Sequence, residues 1–437
     1  MKKCLFYTAV AIVCAGCTAE PIQEDIIVDN NGGVVTLNAS IEGFENDTRT
    51  TYTDNISLTK ALVSWSAGDA ISVLYSNGSG GSYSQETFTT GNGDGVFSGA
   101  ATRTEGGKYA YFAIYPSGLC NSIWPDNTNL REQFQVTLPD NVTGSGADAI
   151  PMVAHTLSSS WDGVYHFKHL SSVLRFSITN IPSNATYLVI SHESKELAGL
   201  FYISYVDGLP TLHEGDTGGG NERTMTYAFT PIDGTYSFYL PFIVGGTPSG
   251  NFTFTFKNAS GEVLCSRTTT LGPLASVTLA RNTMYRVSID ALSFDGYPGL
   301  STLEITPEDV PTTPGAFTVD GVGFYADRAF KQSSSDIKLE QSGDIHGKIY
   351  NTTALGRITK IVVEQSGNYS FDKDWFVAYA GTEEAPSTSV ISPSSYSSTG
   401  ATYIFSDGSY SYFSYVNNVD WGGVRVGGIT VYYLPSD

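Results

Sequence analysis

The chain has 437 residues, with 23 Lys and Arg against 43 Asp and Glu, a formal net charge of −20. Such a surface repels the nucleic-acid backbone and anionic lipid head groups, so neither is expected as a ligand. Only 15% of the residues are charged, while 46 are Gly and 27 are Tyr, which suits exposed β-structure better than charged helices; the length gives room for roughly two to four domains.

Residues 1–17 read as a lipoprotein signal peptide. Lys2 and Lys3 are followed by an apolar run from Leu5 to Val13 that is too short to cross a bilayer as a helix. Ala15 and Gly16 then place two small residues before Cys17, the pattern a lipoprotein signal peptidase requires, which makes Cys17 the expected lipidated residue. The other processing route is an ordinary secretory cut near Ala19. Residues 18–33, with Glu20, Glu24 and Asp25 near the lipid, read as an acidic tether. The same cluster resembles the surface-export signal of Bacteroidetes lipoproteins. The expected location is therefore the cell outer membrane, lipid-anchored and displayed outward.

From residue 34 onward, short alternating runs are separated by Gly, Asn, Asp, Ser and Pro. VVTLNASI (34–41), LVSWS (62–66), AISVLYS (70–76), YAYFAIYP (109–116) and FQVTLP (134–139) predict strands of a first β-sandwich, residues 34–165. A second series, from VLRFSITNI (173–181) to MYRVSIDAL (284–292), predicts another sandwich over residues 166–292. Residues 293–314 contain four prolines among turn formers and predict an interdomain linker. Residues 315–437 predict an additional β-sandwich, with Trp375, Trp421 and many tyrosines. Trp421, in Asp420-Trp421-Gly422-Gly423, and Trp375, at the opening of a strand, are the candidate ligand-binding rings; burial in the sandwich is the alternative for both.

No nucleophile elbow, zinc-protease helix, phosphate loop or dinucleotide fingerprint stands in its required setting, so no catalytic residue and no cofactor is expected. His166 and His169 are three residues apart with no further His or Cys close in sequence, short of a metal site. Beyond the signal and Cys17, only Cys120 and Cys265 remain, without metal or disulfide-framework spacing, and they read as buried free thiols.

Several segments in order carry a family resemblance: Thr48-Arg49-Thr50; Trp65-Ser66-Ala67-Gly68-Asp69-Ala70-Ile71-Ser72-Val73; Tyr111-Phe112-Ala113-Ile114-Tyr115-Pro116; Pro151-Met152-Val153-Ala154; the run Phe167 to Phe176; and Met284-Tyr285-Arg286-Val287. Over about residues 34–292 the chain resembles the fimbrillin-like family of Bacteroidetes, which includes type V pilus subunits and pilus tip proteins. The resemblance implies an all-β fold of two tandem transthyretin-like Greek-key β-sandwiches, here followed by a C-terminal jelly-roll-like β-sandwich. It further implies a non-enzymatic role in cell adhesion, as a fimbrial tip or accessory subunit or a standalone adhesin.

In the family scheme an arginine-specific protease cuts after an early Arg, and the freed groove accepts a strand from another fimbrial subunit. Arg49 is the matching position, although it also reads as an ordinary exposed loop arginine. A C-terminal domain beyond residue 292 suits a tip or standalone protein better than a shaft subunit. The expected partners are the outer membrane through the lipid, other fimbrial subunits by strand exchange, and a host or dietary glycan or a protein receptor. A different class of function, a glycan-binding outer-membrane lipoprotein for polysaccharide capture, is the alternative.

Within the motifs, Trp65 is expected to plug a core, Gly68-Asp69 to turn the chain, and Ile71 and Val73 to share a strand face. Phe167, Leu170, Leu174 and Phe176 are core candidates, whereas Lys168, His169 and Arg175 call for solvent or a partner.

Overall fold

A computed structural model describes residues 34–42, 64–76, 83–100, 109–126, 131–158, 163–206, 209–214, 221–230, 235–367, 372–405, 410–420 and 422–435. The described residues form β-strands joined by turns and short 3-10 segments, so the fold is all-β.

The first strands are β1 (Val34–Ile41), β2 (Ala70–Ser76), β3 (Tyr83–Thr89), β4 (Val96–Ala100), β5 (Tyr109–Tyr115), β6 (Cys120–Asp126), β7 (Arg131–Leu138), β8 (Asn141–Thr143), β9 (Met152–Ser158) and β10 (Val164–His169). Seven of them close into a barrel in the order β1-β10-β9-β5-β2-β3-β4. Closure removes the free edges that an open sheet would present. Its core gathers Leu37, Ile71, Val73, Phe88, Phe97 and Phe167, all fully buried, around Trp65. Trp65 and the Gly68-Asp69 turn do what the motif predicted: Gly68 takes φ +90°, and the Asp69 carboxylate accepts the Ser66 N–H. Ser64–Ser66 is not strand, so the ring plugs the core from a loop.

The next strands are β11 (Ser172–Thr179), β12 (Tyr187–His192), β13 (Gly199–Val206), β14 (Leu209–Glu214), β15 (Thr224–Ala228), β16 (Tyr236–Phe242), β17 (Phe252–Lys257), β18 (Val263–Thr269) and β19 (Met284–Asp290). A three-stranded sheet, β16-β11-β19, and a five-stranded sheet, β18-β17-β12-β15-β8, contribute side chains to a second core. Phe176, Phe238, Phe252, Phe254 and Phe256 are fully buried in it. The two units interlock: β8 joins the second unit's sheet, and β14-β13-β7-β6 forms a sheet from both halves of the chain. β10 also spans the expected boundary between residues 165 and 166 and completes the barrel.

The remaining strands are β20 (Ser301–Ile305), β21 (Gly315–Val319), β22 (Val322–Asp327), β23 (Ala329–Ser333), β24 (Asp336–Ser342), β25 (Ile345–His346), β26 (Lys348–Asn351), β27 (Arg357–Gln365), β28 (Phe376–Gly381), β29 (Ser389–Ile391), β30 (Pro393–Ser397), β31 (Gly400–Ile404), β32 (Tyr412–Asn417) and β33 (Gly423–Leu434). One sheet runs β23-β24-β33-β27-β31-β30, with β20 also paired to β33 and β25 to β24; the other runs β21-β22-β26-β32-β28-β29. One apolar core draws on both.

The stretch 293–314 is built into its neighbours. Phe294 is fully buried in the second core, β20 lies in the third unit's sheet, and Val310 is buried in the third core. The prolines there shape turns against packed surfaces: the Pro311 carbonyl accepts the Lys331 N–H at 2.9 Å.

Candidate functional site: the seat of the first strand

The strand that the resemblance implies is exchanged is β1, and its sequence alternates as a half-buried strand must. Val35, Leu37, Ala39 and Ile41 are buried, whereas Thr36 and Asn38 are exposed. β1 lies between two partners: β4, antiparallel, with Leu37 opposite Phe97, and β10, parallel, with Ile41 opposite Phe167. Burying the Val, Leu and Ile side chains contributes about 1.5–3 kcal/mol each, so β1 is an integral stave of the barrel.

Trp65 anchors the same strand from inside. Its indole Nε1–H donates to the Ala39 carbonyl at 3.0 Å, and its ring meets Phe97, Tyr115 and Phe167 edge-on at centroid distances of 5.0–5.2 Å. Such edge-to-face contacts add to the area term.

The C-terminal end of β1 is pinned both within the barrel and to the second unit. The Glu42 N–H donates to the Phe167 carbonyl, and the Glu42 carboxylate accepts the His169 N–H at 2.9 Å and pairs with the Arg281 guanidinium. Arg281 also donates to the His169 carbonyl at 3.2 Å. The segment that opens β19 reaches the seat of β1 only through its first residues. β19 pairs with β11, while Arg281, just before it, reaches Glu42, and Met284 packs against the barrel core.

His169 departs from its expected place in solvent or beside a partner. It is 2% exposed, and neither ring nitrogen finds a hydrogen-bonding partner among the described residues. Burial, and then the positive charge of Arg281, push its pKa down to about 4, so the ring is neutral at pH 7. His166, three residues earlier on β10, is on the exposed side and shares a hydrogen bond with Ser40 Oγ at 2.6 Å. The period of two thus turns the two rings to opposite faces.

Of the sequence-predicted site residues, Cys17, Arg49 and Trp421 lie outside the described residues. Arg49 falls in residues 43–63, which connect β1 to the Trp65 loop. Trp375 closes a 3-10 turn capped by Asp372, is partly buried and packs against the third core; its carbonyl accepts the Asn418 N–H at 2.7 Å. Cys120 and Cys265 are free and stand in separate clusters, where burial pushes their thiols up to about 11 and about 12. Both are therefore poor nucleophiles at neutral pH.

No family model matches the chain, and no curated protein matches it. Solved structures do. A protein assigned to cell adhesion from Bacteroides uniformis is 16% identical, covers 52% of this chain and 87% of its own, and has a TM-score of 0.30. A second protein so assigned, from Bacteroides ovatus, is 13% identical, with coverages of 58% and 91% and a TM-score of 0.32. The tip fimbrial protein Mfa3 from Porphyromonas gingivalis, with a C-terminal truncation, is 8% identical, with coverages of 50% and 89% and a TM-score of 0.26. The chain is thus similar to structures assigned to cell adhesion and to a fimbrial tip protein, the class that its sequence motifs resemble.

Proposed function

We propose that this protein is a non-enzymatic, surface-displayed adhesion lipoprotein of the fimbrillin-like kind, anchored through Cys17, with β1 as its exchangeable strand. The observation that carries the reading is the seat of β1. The strand fills a gap between β4 and β10, and the chain joins it to the rest of the barrel through the segment that holds Arg49. A cut after Arg49 removes the covalent link and leaves pairing, burial and the Glu42–Arg281 contact to hold β1, which a strand of matching alternation from another subunit can replace.

Proteolysis there would also separate the lipid from everything downstream. The first two units then correspond to the tandem transthyretin-like pair, and the third to an appended jelly-roll-like module. A tip, accessory or standalone role fits better than a shaft role. β33, the last strand described, is hydrogen-bonded to β27 along one edge and to β24 and β20 along the other. Donating it would dismantle the third unit's sheet.

The test is digestion of the full chain with an arginine-specific protease, after labelled palmitate has shown whether the wild type, and not Cys17→Ser, carries lipid. The expected result is cleavage at Arg49 followed by concentration-dependent oligomers, both lost in Arg49→Ala. A chain cut at Arg49 that stays monomeric at every concentration would remove the strand-exchange reading.

A further inference from the structure

One sheet of the third unit carries, on its outer face, a row of tyrosines that the core does not use. Along the order β21-β22-β26-β32-β28-β29, the register sets Ala316, Tyr325, Tyr350, Ser414, Tyr379 and Val390 side by side, one from each strand. Their chain neighbours Ala326, Ile349, Tyr415 and Ala378 are buried in the third core, so the period of two turns the row outward. Tyr325 keeps 36% of its surface exposed, and Tyr350 and Tyr379 are half-buried. The second unit docks on the opposite sheet, at Arg357 and Lys360 of β27, and the row therefore looks away from it.

Polar groups border the row on both sides. Two residues along the strands, Asp327 stands opposite Lys348 with their charged ends 3.9 Å apart, and the Lys348 ammonium lies 5.2 Å from the centre of the Tyr350 ring. On the other side, Gly323 and Gly381 also face outward, next to buried Phe324 and Ala380. A Cβ on Gly323 would meet the Thr352 and Thr353 hydroxyls at 2.6 and 2.9 Å, and one on Gly381 would meet Pro386 at 2.7 Å. Two threonine hydroxyls and the turn after β28 thus lie on this face. Burial, and then the charges of Glu384 in that turn and of Asp327, raise the Tyr350 phenol.

Ser414 stands in the middle of the row, between Tyr350 and Tyr379. It is 1% exposed, and its Oγ has no hydrogen-bonding partner among the described residues. A buried hydroxyl left unpaired is costly. Here it sits among surface rings, which turn readily between rotamers and can open it to a ligand.

We propose that this face binds a neutral, equatorially linked oligosaccharide of the cellulose or xylan type. Such sugars are straight, with C–H groups on both ring faces and hydroxyls at the rim. The tyrosine rings suit the first, and the Thr352, Thr353 and Ser414 hydroxyls both donate to and accept from the second. From β22 to β28 the row extends about 14 Å, room for roughly three linked sugars. The whole face measures about 24 Å from β21 to β29, and the outward positions of β22 span about 14 Å, less than the roughly 800 Å² that each partner gives to a stable protein interface. Asp327 and Lys348 offset each other, Glu384 is left over, and the chain carries a net charge of −20, so acidic sugars are disfavoured. The inference names a class of ligand for the proposed adhesin and rests on that reading only for display at the cell surface; it does not depend on exchange of β1.

The full, uncut chain is titrated calorimetrically with cellohexaose, xylohexaose, the curved maltohexaose and the acidic hexagalacturonate. Cellohexaose or xylohexaose is expected to bind about tenfold more tightly than either of the others, and Tyr325→Ala to weaken that binding about tenfold. Tyr396→Ala, which removes an exposed tyrosine outside the row, is expected to bind as wild type does. Ser414→Ala removes an unpaired hydroxyl, so it is expected to leave the melting temperature unchanged or raised while weakening binding about threefold. Silence with both cellohexaose and xylohexaose, equal binding of maltohexaose or hexagalacturonate, or full affinity in Tyr325→Ala or Ser414→Ala overturns the proposal. Oligomers formed after Arg49 cleavage by the Tyr325→Ala chain would show that the strand-exchange reading stands or falls separately.

Discussion

His169 shows what one misplaced-looking side chain does to the energetics of the junction. An ordinary histidine titrates near 6.5, and unfolding lets His169 do so, whereas in the folded chain its pKa is about 4. Between those values the unfolded chain binds a proton that the folded chain refuses. The stability gained from keeping the ring neutral is therefore complete above pH 6.5 and is lost as the pH falls towards 4, amounting to roughly 3 kcal/mol across that window. Phe at this position keeps the volume and, since neither ring nitrogen has a partner among the described residues, gives up no hydrogen bond. We predict that the stability of His169→Phe relative to wild type rises as the pH is lowered from 7 to 4.5, measured by denaturant unfolding; parallel curves would refute the assignment. The spacing His166-x-x-His169 was visible in the sequence. That one ring would be fully enclosed was not, because the enclosing residues Glu42 and Arg281 come from 127 and 112 residues away.

At the scale of the element, β1 was legible almost entirely from its own residues. VVTLNASI alternates so strictly that both its extent and its buried face follow from the pattern. The neighbouring LVSWS run misled for a physical reason: Trp65 is apolar and large, as a strand residue would be, but it fills the barrel from a loop tied down by Asp69. The two faces of β1 make a sharp prediction. Leu37→Asp puts a carboxylate where no surface is exposed and is expected to cost more than about 3 kcal/mol, whereas Thr36→Asp, on the exposed face, is expected to stay within ~0.5 kcal/mol of wild type. After cleavage at Arg49, size-exclusion chromatography with mass spectrometry should find the β1 fragment retained by the Thr36→Asp chain and lost from the Leu37→Asp chain. Equal retention would mean that β1 is not held by its apolar face.

The whole molecule turns on how the third unit is attached. Pro-rich composition predicted a linker across 293–314, yet the stretch is consumed by packing: Phe294 belongs to the core before it, Leu303, Ile305 and Val310 to the core after it. Ion pairs close the joint. Arg357 meets Asp290 at 3.2 Å, and Lys360, which also lies 4.0 Å from the centre of the Tyr432 ring, pairs with Asp295. Asp290 is 5% exposed, so removing its partner leaves a nearly buried charge less compensated. Chymotrypsin under native conditions should therefore cut wild type slowly at Phe294, Tyr297 or Leu300, and the Arg357→Ala, Lys360→Ala double variant faster. Prompt cleavage of wild type within 293–314 would show that the units are joined loosely.

The sequence by itself determined the acidic composition, the all-β class and the buried face of β1, because each depends on composition or on a pattern within a few neighbouring residues. Tertiary structure decided which strands meet. β1 pairs with β4, which begins some 55 residues after it ends, and in parallel with β10; the third unit docks on Asp290 and Asp295. A period of two states which side of a strand is apolar, but it carries no information about the strand's partner or register. Those are set by how the strands close and pack, and the seat of β1 is made there.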